Sequence, residues 1–218
     1  MGTNREVFDR IAPTWYGVRH WPLLQHELEE MAQRWQRGRL VNLGCGHGAD
    51  FLPFRRRFDM VGLDHSRGML CEGRKYMAKH EFHAALVEGD LSHLPFSDCS
   101  FDYAIAVASY HHVEGEASRT TAINELIRVL RPAGEAFLSV WNYEQPRFKG
   151  TSRDQFVPWR SGSTTLNRYY HLFEIDELEY VLTQGGFKIM RIGFGTRPGD
   201  PSTQDVRNIC ALVKKPLG

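Results

Sequence analysis

The chain has 218 residues, 42% of them hydrophobic and 24% charged, with 26 aromatic side chains. That composition suits one α/β domain with a sizeable core and excludes wholesale disorder. Lysine plus arginine number 27 against 26 aspartate plus glutamate, a formal charge of +1, so a polybasic coat protein is excluded but a local basic patch is not. No apolar run approaches the ~20 residues of a membrane-spanning helix, and MGTNREVFDRIA lacks the profile of a secretory signal. Cys45, Cys71, Cys99 and Cys210 form no CxxC pair, which suits a reduced, cytoplasmic protein.

Residues 22–36, PLLQHELEEMAQRWQ, carry Leu23, Leu24, Leu28, Met31 and Trp35 at helical spacing. Gly38 breaks that pattern, and RLVNLGCG then reads as a buried strand running into a tight glycine turn. GADFLPFRRR predicts a helix, FDMVGLD a strand, SRGMLCEGRKYMAKH a helix capped by Ser66, and FHAALVEGD a strand. FDYAIAVASYHH follows as a strand, EASRTTAINELIRVLRP as a helix stopped by Pro132, and GEAFLSVW as a strand. An irregular insertion spans about 142–173. IDELEYVLTQGG is then a helix ending at Gly185 and Gly186, and FKIMRIGF and VRNICALVKK close the chain. Strand and helix alternate at least five times, the pattern of a parallel, doubly wound sheet. The whole of 1–218 reads as one domain, because the pattern resumes after the insertion.

VNLGCGHGAD places Gly44, Gly46 and Gly48 between a strand and a helix. Glycines there permit positive φ and let a ligand approach the backbone beside a helix N-terminus. Asp64 ends the next strand, 20 residues after Gly44, where a carboxylate can accept both hydroxyls of a ribose. Gly44, Gly46 and Ala49 also satisfy the loose dinucleotide pattern GxGxxA, so an NAD-dependent dehydrogenase stays open at this point.

GCGxG is followed in order by LD, by the GD and LPF of EGDLSHLPF, by FD at residues 101–102, and by the LRPAG of ELIRVLRPAGEAFLSV. This ordered series, over about residues 7–141, resembles class I S-adenosylmethionine-dependent methyltransferases. The resemblance implies a Rossmann-like sheet of seven strands, mostly parallel, with the last strand antiparallel. It implies S-adenosyl-L-methionine as cofactor, with Gly44 and Gly46 along its methionine part, Asp64 at the ribose, and Asp90 with the Leu91 backbone at the adenine amino group. His65 and Met69 either meet the adenine edge or simply pack at the helix start. Asn42 also belongs to the implied cofactor-binding set; it stands where that family usually carries an acid, keeping the hydrogen-bonding shape of the side chain but not its charge. Asp102 reads as a carboxylate that caps or pairs locally.

VFDRIAPTWYGVRHWP, SYHHVEGEASRTTAINELIRVLRPAG, SVWNYEQ, DQFVPW (154–159) and RYYHLF (168–173) resemble the tRNA wobble-uridine methyltransferases, and the likeness covers almost the whole chain. Members of that family esterify a carboxymethyl group on the uridine at the first anticodon position. A carboxylate is already ionised near neutral pH and needs no strong base to attack a sulfonium methyl. It needs in-line positioning and partial charge compensation. Arg19 is placed to grip that carboxylate in a bidentate fork, with the nearby Tyr16 on the substrate-binding side. His111 or His112 lies at the methyl-transfer point, His111 being preferred. Arg168 with Tyr169 and Tyr170 is placed to hold the nucleotide, and Trp159 and Tyr110 either stack the extruded base or belong to the core. The histidines and cysteines lack paired metal-ligand spacing, so no metal site is expected. The resemblance also implies a heterodimer with a small zinc-binding activator, paired with an apolar sheet edge at FHAALV (82–87); a homodimer, or coverage of that edge by the chain's own N-terminal helix, is the other reading.

Two further readings remain: a small-molecule methyltransferase of the quinone or sterol type, and a catalytically silent RNA-binding or scaffold protein, which Asn42 encourages. Residues 142–171 carry five Arg and Lys against Glu144 and Asp154, with six aromatics. That stretch is a modest basic and aromatic surface suited to a single-stranded loop, and too small to hold a whole tRNA without help.

Overall fold

A computed structural model describes residues 2–161, 164–197 and 200–217. Its centre is a seven-stranded sheet in the order β3-β2-β1-β4-β5-β9-β8, formed by β1 Gly38–Leu43, β2 Phe58–Asp64, β3 Ala85–Glu88, β4 Phe101–Val107, β5 Leu130–Trp141, β8 Lys188–Arg197 and β9 Asp200–Lys214. The first five strands run parallel, and β9 lies between β5 and β8, antiparallel to both. This is the mostly parallel sheet with an antiparallel last strand that the motif series implied.

The parallel strands are continuous apolar runs because both faces of the sheet are covered. Side chains alternate across a strand: Val41 and Leu43 of β1, with Ala104 and Ala106 of β4, belong to the core around Ile123, Leu126, Leu178 and Leu182. Those four residues come from α4 Glu116–Val129 and α5 Ile175–Gln184. Leu40, Ile105 and Val107 belong instead to the core built with Leu28, Met31 and Trp35 of α2 Gln25–Trp35. Trp35 stacks on Tyr103 with centroids 4.7 Å apart, and its indole N–H donates to the buried Glu135 carboxylate at 2.9 Å. Arg34 forks onto that carboxylate at 2.7 and 2.9 Å, which holds it ionised and its pKa below the usual carboxylate value. Asp102 pairs with Arg131 at 2.5 Å, the local role expected of it.

Three elements differ from expectation. GADFLPFRRR makes only a 3₁₀ turn at Ala49–Phe51 and further turns, not a helix. Pro53 has no N–H for an i→i−4 bond, and Leu52, Phe54 and Arg57 bond carbonyls three residues back. α4 ends at Val129 rather than at Pro132: Leu130 already pairs with Phe101, and the register then jumps to Tyr103↔Glu135, so RPAG is a turn built into β5. The insertion contains a two-stranded antiparallel hairpin, β6 Asp154–Ser161 and β7 Thr164–His171, where only irregular chain was expected.

An N-terminal helix, α1 Asn4–Val18, and this hairpin form a roof over the sheet's C-terminal edge. Thr3 and Glu6 close a reciprocal cap at the start of α1. Asp9 accepts from Ser66 Oγ at 2.7 Å and from the Gly68 N–H at 2.8 Å, which ties α1 to the start of α3 Arg67–Lys79. Asn4 accepts from Tyr169 N–H at 2.8 Å and donates to the carbonyls of Tyr169 and His112, while the Trp159 indole donates to Thr14 at 3.1 Å. Among the described residues no helix is long and apolar enough to cross a membrane.

Gly68 is the tightest point of the roof: a Cβ there would lie 2.8 Å from the Asp9 carbonyl oxygen and 3.1 Å from its Cα. Gly68→Ala is expected to cost about 1–3 kcal/mol through overpacking, read as a lower urea midpoint. An unchanged midpoint would mean that α1 is not seated on α3.

Candidate active site

The C-terminal ends of β1, β2, β3 and β4 open into one cleft of about 930 Å³, closed above by α1 and the hairpin. In an open parallel sheet this is where a ligand reaches strand-end loops and backbone amides together. The Gly44 and Cys45 amides donate to the Leu63 carbonyl at 2.8 and 2.9 Å, which bends the chain sharply out of β1. Gly44 has φ +75°, and a Cβ on it would lie 2.3 Å from the Ser109 Cβ, so only glycine fits. A Cβ on Gly46 would meet nothing within 4 Å, so the backbone there is open to a ligand. Gly46 N–H donates to Asp64 at 2.7 Å and Ser66 N–H to its other oxygen at 2.9 Å. Burial raises the Asp64 pKa, while His65 and those two amides oppose the rise. One lone pair on each Asp64 oxygen remains for hydroxyl donors. Asp90 accepts from Ser92 N–H at 2.7 Å, with Leu91 beside it on the cleft wall.

The residues expected around a cofactor therefore divide. Gly44, Gly46, Asp64, His65, Met69, Asp90 and Leu91 all line the cleft. Met69 also packs in the cluster under α1 with Val7, Phe8 and Ile11, so its two readings are compatible. Asn42 does not line the cleft: it is fully buried within β1, and neither side-chain amide atom has a partner. Asn42, expected among the cofactor-binding residues, thus lies outside the cleft lining.

The substrate-side residues divide too. Arg19, His111, Trp159 and Arg168 line the cleft, and His112 joins them. Arg168 is only 6% exposed, its Nε has no hydrogen-bond partner, and no carboxylate meets it among the described residues. Its guanidinium sits 5.0 Å from the Trp159 ring, 5.2 Å from Tyr170 and 5.8 Å from Trp15. Arg19 caps α1 and lies 5.4 Å from the Trp15 ring; no carboxylate lies within ion-pair distance of it among the described residues, although its charge acts on Asp50. Trp141 N–H donates to His111 Nδ1 at 3.0 Å. Burial drives the His111 pKa well below its usual value, so the ring is neutral and its proton resides on Nε2. His111 is thus a hydrogen-bond donor toward the cleft rather than a base. His112 Nδ1 donates to the Tyr169 carbonyl at 2.8 Å, and burial lowers its pKa to about 3.

Three tyrosines leave the site. Tyr110 is buried in the core and donates to the Ala122 carbonyl at 3.2 Å, because the 3₁₀ turn Tyr110–His112 points it inward. Tyr169 faces away from the cleft and donates to Asp154 at 2.6 Å. Tyr16 packs beneath the glycine turn against His20, His47 and Tyr76. Conversely, Tyr170, Trp141, Arg147 and Asp50 line the cleft. Tyr170 stacks on Trp141 at 4.3 Å and on His111 at 4.9 Å, and Arg147 covers Trp141 at 4.7 Å. Strand alternation identifies Tyr170: it shares the hairpin face of Val157, Trp159 and Arg168, whereas Tyr169 and His171 share that of Asp154. Arg153 pairs with Glu174 and Glu177, so part of the insertion's positive charge is neutralised away from the cleft.

The family model of a methyltransferase domain matches residues 40–134. A putative methyltransferase of Encephalitozoon cuniculi is 34% identical over 183 residues, covering 80% of this chain and 81% of that one. The tRNA (carboxymethyluridine(34)-5-O)-methyltransferase of Schizosaccharomyces pombe is 27% identical over 217 residues, covering 87% of this chain and 90% of its own. A Haloferax volcanii putative methyltransferase, solved in complex with the Trm112 methyltransferase activator, superposes with a TM-score of 0.71 at 16% identity, covering 98% of each chain. With the glycine cradle and Asp64 already in place, the chain belongs to the S-adenosylmethionine-dependent methyltransferases. Its cofactor is S-adenosyl-L-methionine, which brings a methyl group on a positively charged sulfonium. The open Gly46 backbone and the free lone pairs of Asp64 fit that molecule.

A buried guanidinium without a counter-ion is destabilising. Arg168→Met is therefore expected to leave unfolding free energy within about 1 kcal/mol of wild type, or above it, in urea titrations without ligand. A loss of 3 kcal/mol or more would mean that Arg168 is already electrostatically satisfied in the free protein.

Proposed function

We propose that this chain methylates the carboxymethyl group of wobble uridine in tRNA, forming a methyl ester. The observation that carries the reading is Arg168, a buried cation without a counter-ion among the described residues, walled by aromatic rings at the cleft and ready for an anionic group on a planar base. The relative of Schizosaccharomyces pombe, named as a tRNA carboxymethyluridine methyltransferase, supports the same substrate over most of the chain.

The acceptor carboxylate is ionised at neutral pH, so the protein's task is to hold it in line and compensate its charge only in part. Arg168 and Arg19 supply the fork, and His111 donates from Nε2, which fixes the oxygen without removing a proton. Complete neutralisation would blunt the nucleophile, and the neutral imidazoles of His111 and His112 limit the positive charge. Trp159 and Tyr170 offer faces for the uracil ring, and the exposed Arg147 lies at the mouth for phosphate. Gly44, Gly46, Asp64, His65, Met69, Asp90 and Leu91 line the space assigned to the cofactor. The three tyrosines outside the cleft act on the scaffold; Tyr169 does so through its backbone bonds to Asn4 and His112.

β3 is the terminal strand of the sheet, and it offers its outer edge to a partner. A small zinc-binding activator pairing there completes the assembly, a reading supported by the complex known for the Haloferax volcanii structural relative. Four free thiols suit a reducing cytoplasm, where the tRNA substrate would be met.

Labelled methyl transfer, with and without the activator, tests the reading. Anticodon stem-loops carrying carboxymethyluridine should accept label that mild alkali releases as methanol, and loops with plain uridine should not. Label on a small phenolic acceptor instead, or alkali-stable label on RNA, would contradict the substrate assignment.

A further inference from the structure

Four carboxylates line the cleft among the described residues: Asp50, Asp64, Asp90 and Glu114. Asp64 and Asp90 accept from backbone amides at the ends of β2 and β3, the side assigned to the nucleoside. Asp50 differs in place and in partners. It lies in the turn Ala49–Phe51 that immediately follows Gly44–Gly48, the side assigned to the methionine part. It is 7% exposed, and its Oδ1 has no hydrogen-bond partner. Burial raises its pKa, against the positive charge of Arg19 and the Leu23 backbone amide. A buried, under-satisfied carboxylate on a cleft wall is costly unless a cation meets it.

The bound cofactor presents such a cation. Its α-ammonium would carry three donors into the cleft. Asn42 is neutral and does not line the cleft, so it supplies no charge there. We infer that Asp50 is the anion that binds the α-ammonium group of the cofactor's methionine moiety. The inference rests on the cofactor and is independent of the acceptor, so an error about tRNA leaves it standing.

The test deletes the contact from each side. Binding of S-adenosylhomocysteine, which keeps the ammonium but not the sulfonium, is measured by calorimetry beside its desamino analogue and methylthioadenosine, which lacks the amino-acid portion. Wild type should bind the desamino analogue at least tenfold more weakly than S-adenosylhomocysteine. Asp50→Asn should lose at least tenfold for S-adenosylhomocysteine, less than twofold for methylthioadenosine, and no longer distinguish the desamino analogue. Equal loss for all three ligands would make Asp50 a prop for the Leu23 segment and overturn the inference, as would a variant that binds S-adenosylhomocysteine normally. Should Asp50→Asn not fold, the wild-type comparison alone decides: equal affinity for S-adenosylhomocysteine and its desamino analogue overturns the inference.

Discussion

A guanidinium buried among indole and phenol rings, with no carboxylate to meet it among the described residues, is the constraint around which the upper half of this molecule is arranged. Arg168 can be kept there only because Trp15, Trp159 and Tyr170 present ring faces to it and because α1 and the hairpin clamp the rings in place. The clamp is polar at its ends, through Asn4 with β7 and Asp9 with the start of α3, and apolar between, through Val7, Phe8 and Ile11. Cation–π contacts of this kind return about 0.5–2 kcal/mol each, less than the cost of desolvating a cation. The difference is a standing electrostatic demand for an anion. Affinity for the ligand is thereby built into the free protein's instability at one point.

The floor of the cleft works with the opposite sign. Asp64 spends two of its lone pairs on the Gly46 and Ser66 amides and keeps the others for a donor, while Asp50 keeps one oxygen without a partner. A cofactor with ribose hydroxyls and a cationic head suits this acidic, glycine-lined side, and an anionic acceptor suits the side of Arg168 and Arg19. On the proposed function, cofactor and acceptor would enter regions of opposite charge and meet between them. Arg19 stands near that boundary, since its charge acts on His47 and Asp50 on one side and on His111 and Tyr170 on the other.

How much of this the chain announces depends on where the burial comes from. Strands buried on both faces are continuous apolar runs, and β1, β2, β4 and β5 were legible for that reason, as were the glycine turn and Asp64. The hairpin was not: DQFVPWRS and TTLNRYYH are polar and interrupted by Pro158; among the described residues β6 is nowhere fully buried, β7 is buried only over Arg168–His171, and Trp159 and Leu166 pack half-buried against the α1 cluster. Missing that strand hid the alternation that sends Tyr170 to the cleft and Tyr169 to Asp154. The inward turn of Tyr110 was equally hidden, because a single 3₁₀ turn at the end of β4 separates its direction from that of His111. Helix α1 carries Pro13 within it and was visible only as a stretch of family-like sequence.

Selection of a carboxylate by Arg168, a buried cation that meets no carboxylate among the described residues, follows from the proposed function. It is tested most directly by the affinity of the cofactor-loaded protein for three anticodon stem-loops, bearing carboxymethyluridine, its methyl ester and its neutral amide. Wild type should bind the carboxylate form at least tenfold more tightly than either neutral form, and Arg168→Met should bind all three alike. Equal affinities in wild type, or a preference that survives Arg168→Met, would contradict the claim.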